Sequence, residues 1–237
     1  MINDDVIWHD VECGRYDADL PLWHELAQEA TGGVLDVGAG TGRVALALAA
    51  AGHDVTALDL DPGLLEALRR RARQAGVEIA TLTADAADFT LPRRVGLVLV
   101  PMQTIQLLPD RAGFFAAAKR ALVPGGRLAV AIATELEPYD GVPPLPTPDL
   151  ARVDGWTYIS QPIAIRVLDD HVLIERLRRL VGPNDERKAL DDVIRLQIVS
   201  PGGLAEEAAE HGLEAEELRH IPETPEHVAS EVVVFRG

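Results

Sequence analysis

Between residues 36 and 59 the chain sets two acids around a run of glycines: Asp36, then Gly38-Ala39-Gly40-Thr41-Gly42, then Asp59. Glycines between an apolar run (Val34 to Val37) and a helix-forming run (Arg43 to Ala51) let backbone approach a ligand closely, and the helix start offers it free N–H groups. A tight strand-to-helix turn would explain the glycines alone. Three details favour a ligand. Arg43 stands where the dinucleotide fingerprint takes a third Gly or Ala. Asp36, two residues before the first glycine, suits a ligand bearing an ammonium group and would repel a pyrophosphate. Asp59 ends the next apolar run, where a carboxylate can accept both hydroxyls of a ribose. Asp61 competes for that role, but its place before Pro62 explains it as a helix cap.

These residues need a scaffold that aligns several loops. Up to about Ala133, short apolar runs alternate with helix-length stretches, the pattern of a parallel α/β sheet. Strands are expected at 34–37, 55–58, 78–82, 95–100 and 128–132. A leading helix is expected at 17–30, with others at 43–51, from 61 onward, and at 111–122. Five prolines between Glu137 and Pro148 then exclude a regular element there. From Trp156 to Val199 the alternation changes to that of antiparallel strands: 163–167, a turn at Asp169-Asp170, 172–181, a turn near Gly182-Pro183-Asn184, and 192–199. Helix and strand resume at 204–211, 213–221 and 231–235. Residues 134–200 are therefore an insertion on the substrate side, too small to stand alone. Residues 1–133 and 201–237 form the main domain, with 1–30 as a lid or leading helix.

The run Val34 to Arg43 resembles motif I of the class I S-adenosylmethionine-dependent methyltransferases. Val55 to Pro62 is similar to their second motif, and Ala84-Asp85-Ala86-Ala87-Asp88-Phe89 to the third. Val98 to Gln103 resembles the fourth strand and its following loop, and Leu122-Val123-Pro124-Gly125-Gly126-Arg127-Leu128 the turn before the fifth. The resemblance covers roughly 32–133 and recurs in the terminal strand pair. It implies a doubly wound, Rossmann-like α/β fold with a seven-stranded sheet, here carrying a small antiparallel β insertion. It implies S-adenosylmethionine as cofactor, leaving as S-adenosylhomocysteine, with contacts from Tyr16, Asp36, Gly38, Ala39, Gly40, Thr41, Gly42, Asp59, Leu60, Asp85, Ala86, Pro101 and Met102. Asp85 would accept from the adenine amine, and the Ala86 N–H would meet the ring. The loop after strand four lacks the Asn/Asp-Pro-Pro-Tyr/Phe signature of members that methylate planar amines. The reaction implied is methyl transfer to an O, N or C nucleophile of a small-molecule acceptor. Gln103 and Gln106 are candidates to orient that acceptor, and His227, in the loop before the last strand, is the candidate base.

The remaining observations narrow the field. The formal charge of −16 disfavours nucleic acid and anionic membranes as partners. One cysteine, Cys13, excludes an internal disulfide framework and a thiolate metal site, and no metal is expected. The acidic start is unlike a secretory signal, so a cytoplasmic protein is expected, with a homodimer through the insertion as one arrangement. The three serines form no Gly-x-Ser-x-Gly elbow. The run Arg69-Arg70-Arg71-Ala72-Arg73 reads as a solvated helix face. Trp8, Tyr16 and Trp23 gather ahead of the glycine loop, where Tyr16 would meet the cofactor carboxylate or pack as part of an amphipathic segment. A catalytically silent binding protein of the same fold and a nicotinamide-dependent oxidoreductase are the alternatives.

Overall fold

The computed structural model describes residues 4–184 and 186–237; Met1, Ile2 and Asn3 of the leading segment lie outside the described residues. Two helices lead the chain, α1 (Asp4–Cys13) and α2 (Leu20–Glu29). The alternating part follows: β1 (Val34–Val37), α3 (Arg43–Ala50), β2 (Val55–Asp59), α4 (Pro62–Ala75), β3 (Ala80–Thr83), β4 (Val95–Val100), α5 (Thr104–Leu107), α6 (Arg111–Ala121) and β5 (Leu122–Ile132). The insertion carries β6 (Tyr139–Asp140), β7 (Asp149–Val153), β8 (Trp156–Val167), β9 (His171–Val181) and β10 (Arg187–Gln197). The chain then adds α7 (Pro201–Ala209), β11 (Glu214–Ile221) and β12 (Ser230–Arg236).

The main sheet has seven strands in the order β11-β12-β5-β4-β1-β2-β3. β1 pairs in parallel with both β2 and β4, while β12 runs antiparallel between β5 and β11. The sheet is thus doubly wound, and its strand order reverses between β1 and β4, which opens a crevice at their carboxyl ends. Both β1 and β4 are buried throughout, as strands covered on two faces must be. Leu35, Val37, Val98 and Val100 pack with Phe114, Phe115 and Phe235 on one face. Val34, Leu97 and Leu99 pack with Trp23, Leu26, Leu48 and Leu65 on the other. Asp36 shares the face of Val34, because side chains alternate along a strand.

Local chemistry sets the helix ends near the crevice. Asp61 Oδ1 accepts from Gly63 N at 2.6 Å and Leu64 N at 3.3 Å, so Asp61 caps α4 and Pro62 opens it. The helix stops at Gly76, whose φ of +69° is costly for any residue with a Cβ.

The structure differs from the sequence reading in several places, among them β5, which begins at Leu122 and not at 128, and β10, which begins at Arg187 and not at 192. The third strand begins at Ala80, two residues late. The insertion has five strands instead of three, because β6 and β7 are too short to show a period and exist by pairing with β8. The solvated face expected for the arginine run fails at Arg71, which binds Asp10 of α1 and donates to Thr41 O at 3.2 Å. Gln106, expected to face an acceptor, is fully committed to the fold. Its Oε1 accepts from Ala133 N at 2.8 Å, and its Nε2 donates to Ala133 O at 3.2 Å and Gln197 O at 3.0 Å.

Gln106 thereby ties the end of β5 to the end of β10. Removing the amide leaves buried backbone groups unpaired, so Gln106→Ala should cost on the order of 2–3 kcal/mol of stability in urea unfolding. Unchanged stability with lost turnover would return Gln106 to the acceptor side.

Candidate functional site

The glycine loop is bound to the neighbouring strand before any ligand is considered. Gly38 N and Ala39 N both donate to Leu58 O, at 2.9 and 3.0 Å. Gly40 N donates to Asp59 Oδ2 at 2.8 Å, and Asp61 N donates to Asp59 Oδ1 at 2.9 Å. Each Asp59 oxygen therefore holds one backbone N–H and keeps accepting capacity for one hydroxyl. The residue that follows, Leu60, is 71% exposed, an apolar surface standing at the cleft rim. Across the sheet edge, Asp85 is exposed and uses Oδ1 to accept from Ala87 N at 2.8 Å, while Ala86 is buried beside it.

The loop after β4 closes the other wall. Met102 has φ +54°, a conformation that non-glycine residues adopt at a cost and that clusters at binding sites. Thr104 Oγ1 donates to Pro101 O at 3.1 Å. A Cβ on Gly38 would stand 2.5 Å from the Thr104 methyl, so only glycine lets the two loops approach. Gln103 precedes α5, half-buried.

Asp36 is 1% exposed, and neither carboxylate oxygen has a hydrogen-bond partner. Burial pushes its pKa up to about 7, with Arg43 opposing. Arg43 donates to Asp19 at 2.5 and 2.7 Å and to Tyr16 O at 2.8 Å, and its guanidinium lies 5.1 Å from the Tyr16 ring centre. Tyr16 is buried without a partner for its hydroxyl, and burial pushes that phenol up to about 12. Its ring packs against His227, from the loop between β11 and β12, with ring centres 4.6 Å apart and planes tilted by 36°. His227 is half-buried, and burial lowers its pKa below the ordinary 6.5 against the opposing fields of Asp149 and Glu226.

The structure thus brings Tyr16, Asp36, the loop 38–42, Asp59, Leu60, Asp85, Ala86, Pro101, Met102 and His227 around the carboxyl ends of β1, β2, β3 and β4, or onto Tyr16. The expected aromatic group divides. Trp23 is buried in the core with Nε1 donating to Asp19 at 2.8 Å, whereas Trp8 packs edge-on against Tyr158 of the insertion at 5.0 Å.

Sequence reasoning missed α1. Its His9 lies over the glycine loop: a Cβ on Gly40 would fall 2.2 Å from His9 Nε2. Asp10 accepts from Thr41 Oγ1 at 2.7 Å. On its opposite side Glu12 accepts from Ser160 at 2.7 Å and from Arg178 at 2.8 and 2.7 Å. The signal was present in Val6, Ile7, Trp8 and Val11, an apolar stripe at helical spacing.

The residues fit a cofactor with an ammonium group and a ribose. Asp36 is a buried carboxylate without a partner, and Asp59 is aimed by two backbone N–H groups. A carboxyl raised to about 7 holds its proton in the folded chain while the unfolded chain, near 3.8, releases it. Stability is therefore complete below pH 3.8, falls as pH rises toward 7, and is flat above. Asp36→Asn should leave stability unchanged at pH 3.5 and raise it by roughly 2–4 kcal/mol at pH 8 in urea unfolding. Equal stability at both pH values would show that Asp36 is not held in this state.

Residues 34–126 match the family described as Methyltransferase domain. Over 98 residues the chain is 34% identical to a ubiquinone biosynthesis O-methyltransferase of Xylella fastidiosa, covering 41% of this chain and 40% of that protein's length. The chain thus spans well under half of the curated relatives it matches. In fold the likeness is chain-wide. A sugar N-methyltransferase from Streptoalloteichus superposes with a TM-score of 0.74 at 22% identity, over 99% of this chain and 93% of that one. An S-adenosylmethionine-dependent methyltransferase from Clostridium acetobutylicum superposes with a TM-score of 0.72 at 15% identity, over 99% and 98%. Residues 34–126 thus resemble a methyltransferase domain, and the whole chain has the fold of the S-adenosylmethionine-dependent methyltransferases it superposes on.

Proposed function

We propose that the protein transfers a methyl group from S-adenosylmethionine to an O, N or C nucleophile of a small-molecule acceptor. The observation that carries this reading is the Asp59 carboxylate, whose two oxygens are fixed by Gly40 N and Asp61 N at the end of β2. In this reading Asp59 takes the ribose hydroxyls, Asp36 and the loop 38–42 take the amino-acid end, and Leu60, Asp85 and Ala86 take the adenine. Pro101 and Met102 wall the cofactor, and the Tyr16 hydroxyl meets its carboxylate. The cofactor supplies a methyl group already bonded to a cationic sulfur, so the protein's task is alignment and exclusion of water. α1 serves the second part, because His9 and Asp10 lie on the loop itself.

Residues 134–200 form the acceptor wall in this reading, Gln103 orients the acceptor, and the face of the insertion away from α1 is where two copies would pair. A cytoplasmic setting is proposed on the charge and composition. No helix among the described residues is long and apolar enough to cross a membrane.

Asp59→Ala should cost on the order of 1.5–3 kcal/mol of S-adenosylhomocysteine binding by calorimetry. Asp61→Ala should instead remove about 1 kcal/mol of stability with binding intact. The reverse pattern would exchange the roles of the two acids.

His227 is the proposed base. Burial lowers its pKa, so it is neutral at pH 7 and the acidic limb of the rate profile should lie below pH 6.5. His227→Ala should reduce turnover about 10²–10⁴-fold, abolish that limb and spare cofactor affinity. A loss under tenfold with the limb retained would leave alignment alone as the mechanism.

A further inference from the structure

His9 stands over the glycine loop with a ring nitrogen unused. A Cβ on Gly40 would collide with His9 Nε2, so the edge of the imidazole lies directly on the loop backbone. Among the described residues Nε2 makes no hydrogen bond. Nδ1 makes only a long contact of 3.4 Å with Thr41 Oγ1, whose proton goes to Asp10 at 2.7 Å. That contact is too long to fix the ring, which leaves both tautomers open.

The ring is placed by its helix instead. Its neighbour Asp10 pairs with Arg71, Glu12 grips Arg178, and Trp8 packs on Tyr158. A side chain held by its element and not by a partner of its own is free to meet a ligand in a set position.

Gly40 carries the other half of the arrangement. Its N–H donates to Asp59 Oδ2 at 2.8 Å, on the carboxylate proposed for the ribose. Two hydroxyl-binding groups thus bear on one glycine. Covalent geometry keeps Nε2 within about 7–8 Å of that oxygen. A ribose diol, bonded at about 2.8 Å on each side, spans such a gap. The contacts do not compete, since a hydroxyl can donate to the carboxylate and accept from the ring. The cofactor's carboxylate is the other group that a ring N–H could meet. The charges decide against it: Asp10 and Asp59 flank His9, and the guanidinium beside it, Arg71, is already held by Asp10. Burial lowers the pKa of His9, so the ring meets its ligand neutral at pH 7.

We propose that His9 is a cofactor-binding residue, with Nε2 donating to a ribose hydroxyl that itself donates to Asp59. This rests on the methyl-transfer reading above.

The test is calorimetry on the whole protein at pH 7.5 with four ligands. They are S-adenosylhomocysteine, 5′-methylthioadenosine, which lacks the amino-acid end, and the 2′-deoxy and 3′-deoxy forms of 5′-methylthioadenosine. His9→Ala should weaken the first two by the same factor, about three- to tenfold, as for one neutral hydrogen bond. With one of the two deoxy ligands that factor should vanish, because the hydroxyl that His9 binds is gone. A merely loosened α1 would weaken all four ligands alike, and that result would overturn the assignment. A loss confined to S-adenosylhomocysteine, which would put His9 on the carboxylate, or no loss at all, would do the same. His9→Phe keeps the packing and lacks the N–H, so it should repeat the pattern and decides where His9→Ala fails to fold. If the wild type binds none of the four, the methyl-transfer reading falls and takes this inference with it.

Discussion

The cleft depends on one buried ion pair, Arg43 with Asp19. Asp19 is 1% exposed, and its carboxylate holds both the guanidinium and the Trp23 indole N–H. Breaking such a pair strands a charge in the interior, and a buried charge without a partner costs several kcal/mol. The pair also fixes the geometry around it. Arg43 opens α3, directly after the glycine loop, so its reach to Asp19 and Tyr16 O fastens the leading segment onto that loop. It lies over the Tyr16 ring and lowers the Asp36 pKa that burial raises. The residue that breaks the dinucleotide fingerprint is thus the residue that assembles this site.

Much of the main sheet was legible because its strands are either wholly apolar or bounded by turn residues. β1 and β4 are apolar but for Asp36 and Gly96, and the Asp61-Pro62 pair announces α4. The insertion was legible only where strands are long: β8 and β9 show alternation, while β6 and β7 are defined by a partner strand and not by their own pattern. The site divides in the same way. Asp61 could be read as a cap from sequence because capping is local, a matter of two or three residues. Gln106 could not be read, since its partners lie at Ala133 and Gln197, brought to it only by the fold. Arg71 fails for the same reason. Nothing in an arginine run says which member will meet an acid 61 residues away.

Two layers of restraint meet on α1. Toward the core, Asp10 joins Arg71 and Thr41; toward the insertion, Glu12 joins Arg178 and Ser160, and Trp8 packs on Tyr158. The helix has little internal stability at ten residues, so its order comes from these two surfaces together. The glycine loop and the insertion are therefore linked through α1, by charges on one side and by charges and aromatic packing on the other.

The pairing of β12 with β5 sets the order in which the molecule can be assembled. β5 must keep an open edge until the insertion, α7 and β11 have all been synthesised, since the strand that covers it comes after them. The hairpin contacts of β8, β9 and β10 are local and close early, whereas the β5–β12 ladder spans the whole intervening chain and carries the loop-closure cost of a distant contact. During that interval an apolar strand edge, Leu128 to Ile132, is unprotected. Edge-to-edge misassociation at β5, not unravelling of the insertion, is the hazard this topology carries during biosynthesis.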